Sequence, residues 1–170
     1  MRVLVTGGSG FVGVALCASL SESGHSVRLA QRSANAKSGT YDQVVVGQID
    51  AKTDWSAALK DVEVVIHLAA RVHVMDDQSA DPLAEFRRVN VDGSLNLAKQ
   101  AASAGVKRLI YMSSVKVNGE YTLPGKPFKE SDVANPQDAY GLSKFEAEQG
   151  LLLIAQETGF EVVIIRPPLV

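Results

Sequence analysis

The stretch from Arg2 to Gly13, R-V-L-V-T-G-G-S-G-F-V-G, constrains the fold of this chain more than any other. Val3 to Thr6 form a short apolar run suited to a buried parallel strand, and the glycines at 7, 8, 10 and 13 break it sharply. With no Cβ in the way, such a backbone can approach a ligand and pack the following helix closely on its strand. The free N–H groups at the start of that helix, with its dipole behind them, make an anion site suited to the pyrophosphate of a dinucleotide. The spacing Gly8-x-Gly10-x-x-Gly13 is a weak signal alone and also fits a tight turn without a ligand. After a strand and before a helix, it predicts a dinucleotide-binding turn.

The rest of the chain continues the alternation of strand and helix. A helix over Phe11 to Ser23 ends at Gly24, a second strand covers Ser26 to Gln31, and the polar segment Arg32 to Asp42 reads as a loop. A third strand is expected over Gln43 to Val46, a short helix capped by Asp54 through Leu59, and a fourth strand over Val62 to Leu68. From Asp81, with Pro82 at a favoured first position, a long helix runs to Ala104 and stops at Gly105. Its apolar stripe is Leu83, Phe86, Leu97, Ala101 and Ala104. Asn90 falls inside that stripe, where a buried amide needs partners, and its simplest use is to tie the helix to the sheet. Lys107 to Ser113 is the fifth strand, Val115 to Gln137 a long loop of the kind that usually carries function, Ala139 to Thr158 a helix closed by Gly159, and Glu161 to Arg166 a sixth strand. The expected fold class is α/β, a Rossmann-type doubly wound parallel sheet with helices on both faces, forming one dinucleotide-binding domain over 1–170.

Charge and composition exclude some partners. A net charge of -2 offers no basic stripe for nucleic acid, and no apolar run is long enough to span a membrane. The single cysteine, Cys17, suggests a reducing compartment and reads as a small apolar residue of the first helix. No secretory signal precedes the first strand, so a cytoplasmic location is expected. No metal site is expected.

Chemistry can be read at three strand ends. Tyr140-Gly-Leu-Ser-Lys144 lies in a predicted first helical turn, so the phenol and the ammonium share a face. Using that phenol as an acid or base near neutral pH requires a shift of roughly three units from about 10, or about 4 kcal/mol. Lys144 and a cationic nicotinamide ring can supply it. A surface tyrosine and lysine at this spacing are also common. Ser113 and Ser114 end the fifth strand, where a hydroxyl can hold a substrate oxygen or simply finish a turn. Ala69 and Ala70 follow the fourth strand and are small enough for a ribose to lie against the backbone. A doubly wound sheet brings all three strand ends to one crevice.

Taken together, T-G-G-S-G-F-V-G at 6–13, H-L-A-A at 67–70, N-V-D-G-S-L-N-L-A at 90–98, S-S-V-K-V-N-G at 113–119, Y-G-L-S-K at 140–144 and R-P-P-L-V at 166–170 resemble the extended short-chain dehydrogenase/reductases. More narrowly, the chain is similar to the NAD-dependent epimerase/dehydratase group that acts on nucleotide sugars. The resemblance implies that Tyr140 is the catalytic acid/base, that Lys144 binds the nicotinamide ribose and lowers the Tyr140 pKa, and that Ser114, supported by Ser113, hydrogen-bonds the sugar C4 oxygen. Gly7, Gly10, Phe11, Val12 and Gly13 would line the pyrophosphate, Ala69 and Ala70 the ribose side, Gln48 and Ile49 the adenine, and Pro167 the carboxamide. The implied chemistry is hydride transfer between sugar C4 and the cofactor, NAD or NADP.

The sequence departs from the family pattern in three places. Val117-Asn118-Gly119 stands where relatives often read V-Y-G, which puts Asn118 at the substrate wall. Gly47-Gln48-Ile49 replaces the usual G-D-I. The resemblance also implies a last sheet strand and a C-terminal substrate domain that are absent from this chain. Three function classes compete: a UDP-hexose 4-epimerase, an NADPH-dependent reductase of 4-keto-6-deoxy amino sugars in surface-polysaccharide synthesis, and a non-catalytic dinucleotide-binding module. The intact Tyr140 and Lys144 argue against the third. Relatives often dimerise through the two long helices, here 81–104 and 139–158, so a homodimer is implied. Cofactor choice turns on Ala30-Gln31-Arg32-Ser33 at the end of the second strand, where NAD-preferring folds place an acid. Arg32 can grip a 2′-phosphate with paired hydrogen bonds and Ser33 can add a hydroxyl, which favours NADP. A solvated Arg32, or one stacked on adenine, would not discriminate.

Overall fold

A computed structural model describes residues 1–34, 41–72 and 81–168. The chain runs β1 (Arg2–Thr6), α1 (Phe11–Glu22), β2 (Ser26–Gln31), β3 (Asp42–Val45), α2 (Ser56–Leu59), β4 (Val64–His67), α3 (Pro82–Phe86), a π-helical turn (Arg87–Gly93), α4 (Ser94–Ser103), β5 (Arg108–Met112), a 3-10 turn (Val115–Val117), α5 (Ala139–Thr158) and β6 (Glu161–Ile165). The strands form one sheet in the order β3-β2-β1-β4-β5-β6, every neighbour parallel. The chain moves outward from β1 through β2 to β3, then returns across the sheet to place β4 on the other side of β1. That reversal opens the crevice of a doubly wound fold between the carboxyl ends of β1 and β4.

The period of two along each strand sorts the core into two layers. Leu4, Val65, Leu109 and Tyr111 face one side with Trp55, Leu97, Ala98, Ala101, Ala147 and Leu151, contributed by α2 with its lead-in, α4 and α5. Val3, Val5, Val27, Leu29 and Ile66 face the other side with Cys17 of α1. Leu4, Leu97, Leu109 and Leu151 are fully buried, each contributing about 1.5–3 kcal/mol relative to exposure. Helices lie on both faces, with α1 alone on the second among the described residues.

The strands are shorter than expected at several ends: the fourth covers Val64–His67 rather than Val62 to Leu68. Asp54 accepts a hydrogen bond from Ser56 N–H at 2.9 Å and holds the start of α2. The expected unbroken helix 81–104 is two α-helical pieces joined by the wide turn at 87–93. Asp81 caps it through Ala84 N–H. Leu83 is only half-buried and Ala104, just past the end of α4, is exposed, while Asn90, Gly93 and Ser94 join Phe86, Leu97 and Ala101 on the buried side. The expected loop 115–137 contains the 3-10 turn and a small antiparallel bridge, Leu123 to Lys126. Most of the predicted loop 32–42, its residues 35–40, and the final Leu169-Val170 of the last motif lie outside the described residues.

Candidate active site

Register aligns the strand ends: Thr6 pairs with Ala30 on one side and His67 on the other, and His67 with Tyr111. The segments after β1, β2, β4 and β5 therefore leave the sheet at one level. After β1 the chain turns at Gly7, whose φ is +70° and whose missing Cβ would sit 2.8 Å from Ala69 N. Gly10 N–H closes the turn on Gly7 O at 3.0 Å. Gly13, one turn into α1, leaves no room: a Cβ there would lie 2.3 Å from Gly7 O and 2.7 Å from Gly8 Cα. Thr6 Oγ1 receives Ala69 N–H at 3.1 Å and meets His67 Nδ1 at 2.6 Å, while His67 Nε2 meets Ser94 Oγ at 2.9 Å. Burial holds His67 down to about 3, so the ring is a neutral brace between the cradle and α4.

A cleft of about 480 Å³ opens over these strand ends. Of the residues assigned from sequence to the cofactor, Gly7, Gly10, Arg32, Ser33, Gln48, Ile49, Ala69 and Ala70 line it. Three arginines, Arg32, Arg71 and Arg88, line it too, and no carboxylate residue does so among the described residues. Phe11 and Val12, the first two residues of α1, are exposed, and Gly13 is buried beneath the turn. The loop carrying Gln48 and Ile49 is held by α4: Asn96 and Gln100 both donate to Thr53 O, at 2.8 and 2.9 Å. Gly93 lets this loop pass, since a Cβ would lie 2.6 Å from Ile49 Cγ2.

Tyr140 and Lys144 lie on one face of α5, whose first turn is capped by Asp138 accepting from Gly141 N–H. Burial pushes the phenol above its usual range, opposed by the nearby Ser114 hydroxyl, which accepts from Lys116 N–H at 3.2 Å. Its ring meets Phe86 edge-on, centroids 6.0 Å apart. Lys144 is 2% exposed; its Nζ donates to Met112 O at 2.8 Å and sits 4.6 Å from the Tyr111 ring centre and 6.0 Å from that of Tyr140. Burial lowers it to about 7, opposed by Glu148. Ser114 thus stands beside the phenol, whereas Ser113, on the next position of the strand end, points the other way and donates to Glu148. Asn118 is 7% exposed, donates to Lys129 O at 3.1 Å and accepts from Arg166 Nη1 at 3.3 Å. Pro167 O receives Val115 N–H at 3.0 Å and extends the β5–β6 pairing beyond the strands.

The sequence reading did not give Asn90 its full set of partners. Its Oδ1 accepts from Arg71 N–H at 2.8 Å, and its Nδ2 contacts Arg71 O and Ser143 Oγ, both at 3.0 Å. Ser143 in turn donates to Tyr140 O at 2.7 Å. One amide therefore joins the loop lining the cleft to the turn of α5 that carries the phenol. Its place in an apolar stripe is what marks it in the sequence, and it ties its helix to the segment after β4 and to α5 rather than to a strand.

The sequence of residues 3–170 matches the model of the NAD dependent epimerase/dehydratase family. The chain belongs to that family. It is 52% identical over 170 residues to a UDP-glucose 4-epimerase of Vibrio cholerae, an alignment covering 99% of this chain and 51% of that protein. Among solved structures of the same architecture, the UDP-glucose 4-epimerase of Thermus thermophilus complexed with NAD superposes with a TM-score of 0.82 at 27% identity, over 98% of this chain and 54% of that one. The Thermotoga maritima UDP-glucose 4-epimerase with UDP-glucose gives 0.81 at 27% identity, over 98% and 55%. The chain spans about half the length of the curated relatives it matches. No described helix is long and apolar enough to cross a membrane.

Proposed function

We propose that this chain is the dinucleotide-binding half of an NAD(P)-dependent enzyme that acts at C4 of a nucleotide sugar, with UDP-hexose 4-epimerisation as the first reading. The observation that carries it is the convergence of Tyr140, Ser114 and Lys144 at strand ends beside an arginine-lined cleft. The 52% identity to a UDP-glucose 4-epimerase points the same way. The cleft suits a phosphorylated dinucleotide, because the Gly7 turn exposes backbone where a Cβ would collide, and the cleft's charged lining is basic. Gly7 and Gly10 would hold the pyrophosphate, Gln48 and Ile49 the adenine side, Ala69 and Ala70 a ribose, and Pro167 the carboxamide end. When bound, the nicotinamide supplies and accepts the hydride.

This chain's residues manage the proton. Tyr140 would take it from, and return it to, the C4 hydroxyl, while Ser114 hydrogen-bonds that oxygen and the phenol. The Lys144 ammonium stabilises the phenolate that forms, offsetting the burial that raises the phenol. Ser113 and Asn118 act at one remove, fixing Glu148 and the 118–129 loop. The rest of the sugar would be read by a further domain, and two copies would pair through the outer faces of 82–103 and α5, which the Arg87–Glu146 ion pair already ties together at 2.6 Å.

A second reading, an NADPH-dependent 4-keto sugar reductase, is favoured by Arg32 and Ser33 in the cleft lining and by the lack of a carboxylate there among the described residues. The full-length protein incubated with UDP- and dTDP-sugars separates the readings. Formation of the C4 epimer with no net change in dinucleotide absorbance supports the epimerase. Oxidation of added NADPH by a 4-keto sugar supports the reductase, and neither result across the panel removes both.

A further inference from the structure

Helix α5 places Tyr140, Lys144 and Glu148 on three successive turns of one face. Lys144 and Glu148 are 2% and 1% exposed, so two opposite charges sit inside the same helix–sheet layer. No described carboxylate touches the Lys144 ammonium, whose N–H groups go to Met112 O and toward the Tyr111 and Tyr140 rings. Glu148, one turn further on, is fully engaged elsewhere. Its Oε1 accepts from Ser113 Oγ and from Arg166 Nε at 2.9 Å, and its Oε2 from Arg166 Nη2 at 2.5 Å. Arg166 is anchored a third time on Asn118 Oδ1 at 3.3 Å.

This arrangement solves a problem that direct contact would create. A carboxylate bonded to the ammonium would stabilise its charge but occupy the N–H groups that a ribose hydroxyl needs. A carboxylate held one turn away supplies the field and leaves those donors in place. The guanidinium fork has the geometry to hold it there, since two parallel bonds fix both the position and the plane of the carboxylate. The other ionisable groups around Lys144 do not supply that field: His67 from β4 is neutral, Tyr111 from β5 and Tyr140 are held as phenols by burial, and Arg166, just past β6, is a cation.

We propose that Glu148 is the fixed counter-charge that keeps Lys144 an ammonium in the dry interior, and that Arg166 and Ser113 clamp its carboxylate out of contact so that the ammonium stays free for the cofactor ribose. Glu148 is thus a positioning residue, acting through Lys144, and the inference rests on the role of Lys144 proposed above. Consistent with it, Glu148 is the group that opposes burial at Lys144.

The test is a pH titration of the full-length protein labelled with ¹³C at lysine Cε, with the Lys144 signal assigned by its loss in Lys144→Met. In Glu148→Gln the Lys144 midpoint is expected to fall by about one unit or more, and the alkaline limb of the kcat profile to fall with it. Because Glu148→Gln takes the carboxylate from a half-buried guanidinium, the double variant Glu148→Gln/Arg166→Met is measured alongside; it removes both charges and is expected to show the same direction of shift. A folded variant whose activity drops evenly at all pH values with an unmoved Lys144 midpoint would overturn the inference. So would a wild-type midpoint below about 6, which needs no variant to fold. A shifted midpoint in a protein that turns over no sugar would support the counter-charge and overturn the catalytic reading of Lys144, so the two fail separately.

Discussion

At the β1–α1 end of the crevice the site is made of backbone, with Gly7, Gly10 and Gly13 packed so closely that added carbons at 7 and 13 would lie under 3 Å from neighbouring main-chain atoms. At the β5–α5 end it is made of buried polar side chains, Ser113, Lys144 and Glu148, each bonded to a partner. The first end has no room for added volume at Gly7 or Gly13. The second has space for its side chains but depends on each donor and acceptor. A site can thus be rigid in two ways, by shape at one end and by hydrogen bonding at the other.

The sharpest way to separate the two ends is Tyr140→Phe, which removes one oxygen and almost no volume. Turnover in the full-length protein is expected to fall by about 10²–10⁴-fold, with dinucleotide affinity by calorimetry held within a few-fold. Retention of most of the activity would break the assignment of the phenol. The converse change, Gly13→Ala, adds one methyl group and alters no polar atom. It is expected to cost about 1–3 kcal/mol of stability in thermal denaturation and to weaken dinucleotide binding, because Gly7 O must move. An unchanged melting temperature and affinity would show that the cradle is softer than its distances indicate. The smallest effect is expected of Arg32→Ala, at the cleft but outside both frames. Affinity for NADP should drop about tenfold, or roughly 1.4 kcal/mol, with NAD unaffected. A wild-type preference for NAD that survives the substitution would remove the 2′-phosphate reading.

The same contrast explains what could be read from the sequence. The cradle was legible because its parts are neighbours in the chain: a four-residue apolar run, glycines at fixed spacing and a helix, all within Arg2 to Gly13. The doubly wound parallel sheet followed from the alternation of strands and helices, whereas the strand order is seen only in the structure. The polar end was legible only in its local part, the four-residue spacing of Tyr140 and Lys144. Glu148 and Arg166 are 18 residues apart on different elements, and nothing in either segment announces a buried pair. Ser113 and Ser114 could have been separated by the alternation of the strand itself, since Ser113 shares the face of Tyr111, which packs toward α5. Asn118 was placed by its position in a motif, and its partners at Lys129 and Arg166 depend on the path of a loop without periodicity.

The wide turn at Arg87–Gly93 bears on how related chains should be lined up. A π-helical turn holds one residue more than the α-helix could use, so the surplus is absorbed locally and the segments on either side keep their faces. A relative shorter by one residue in this stretch can keep α3 and α4 where they are, and its sequence should be aligned with a single gap between 87 and 93 rather than shifted along the whole helix. Shifting it would set the wrong residue against Asn90, and with it the wrong partner for both the cleft loop and the first turn of α5.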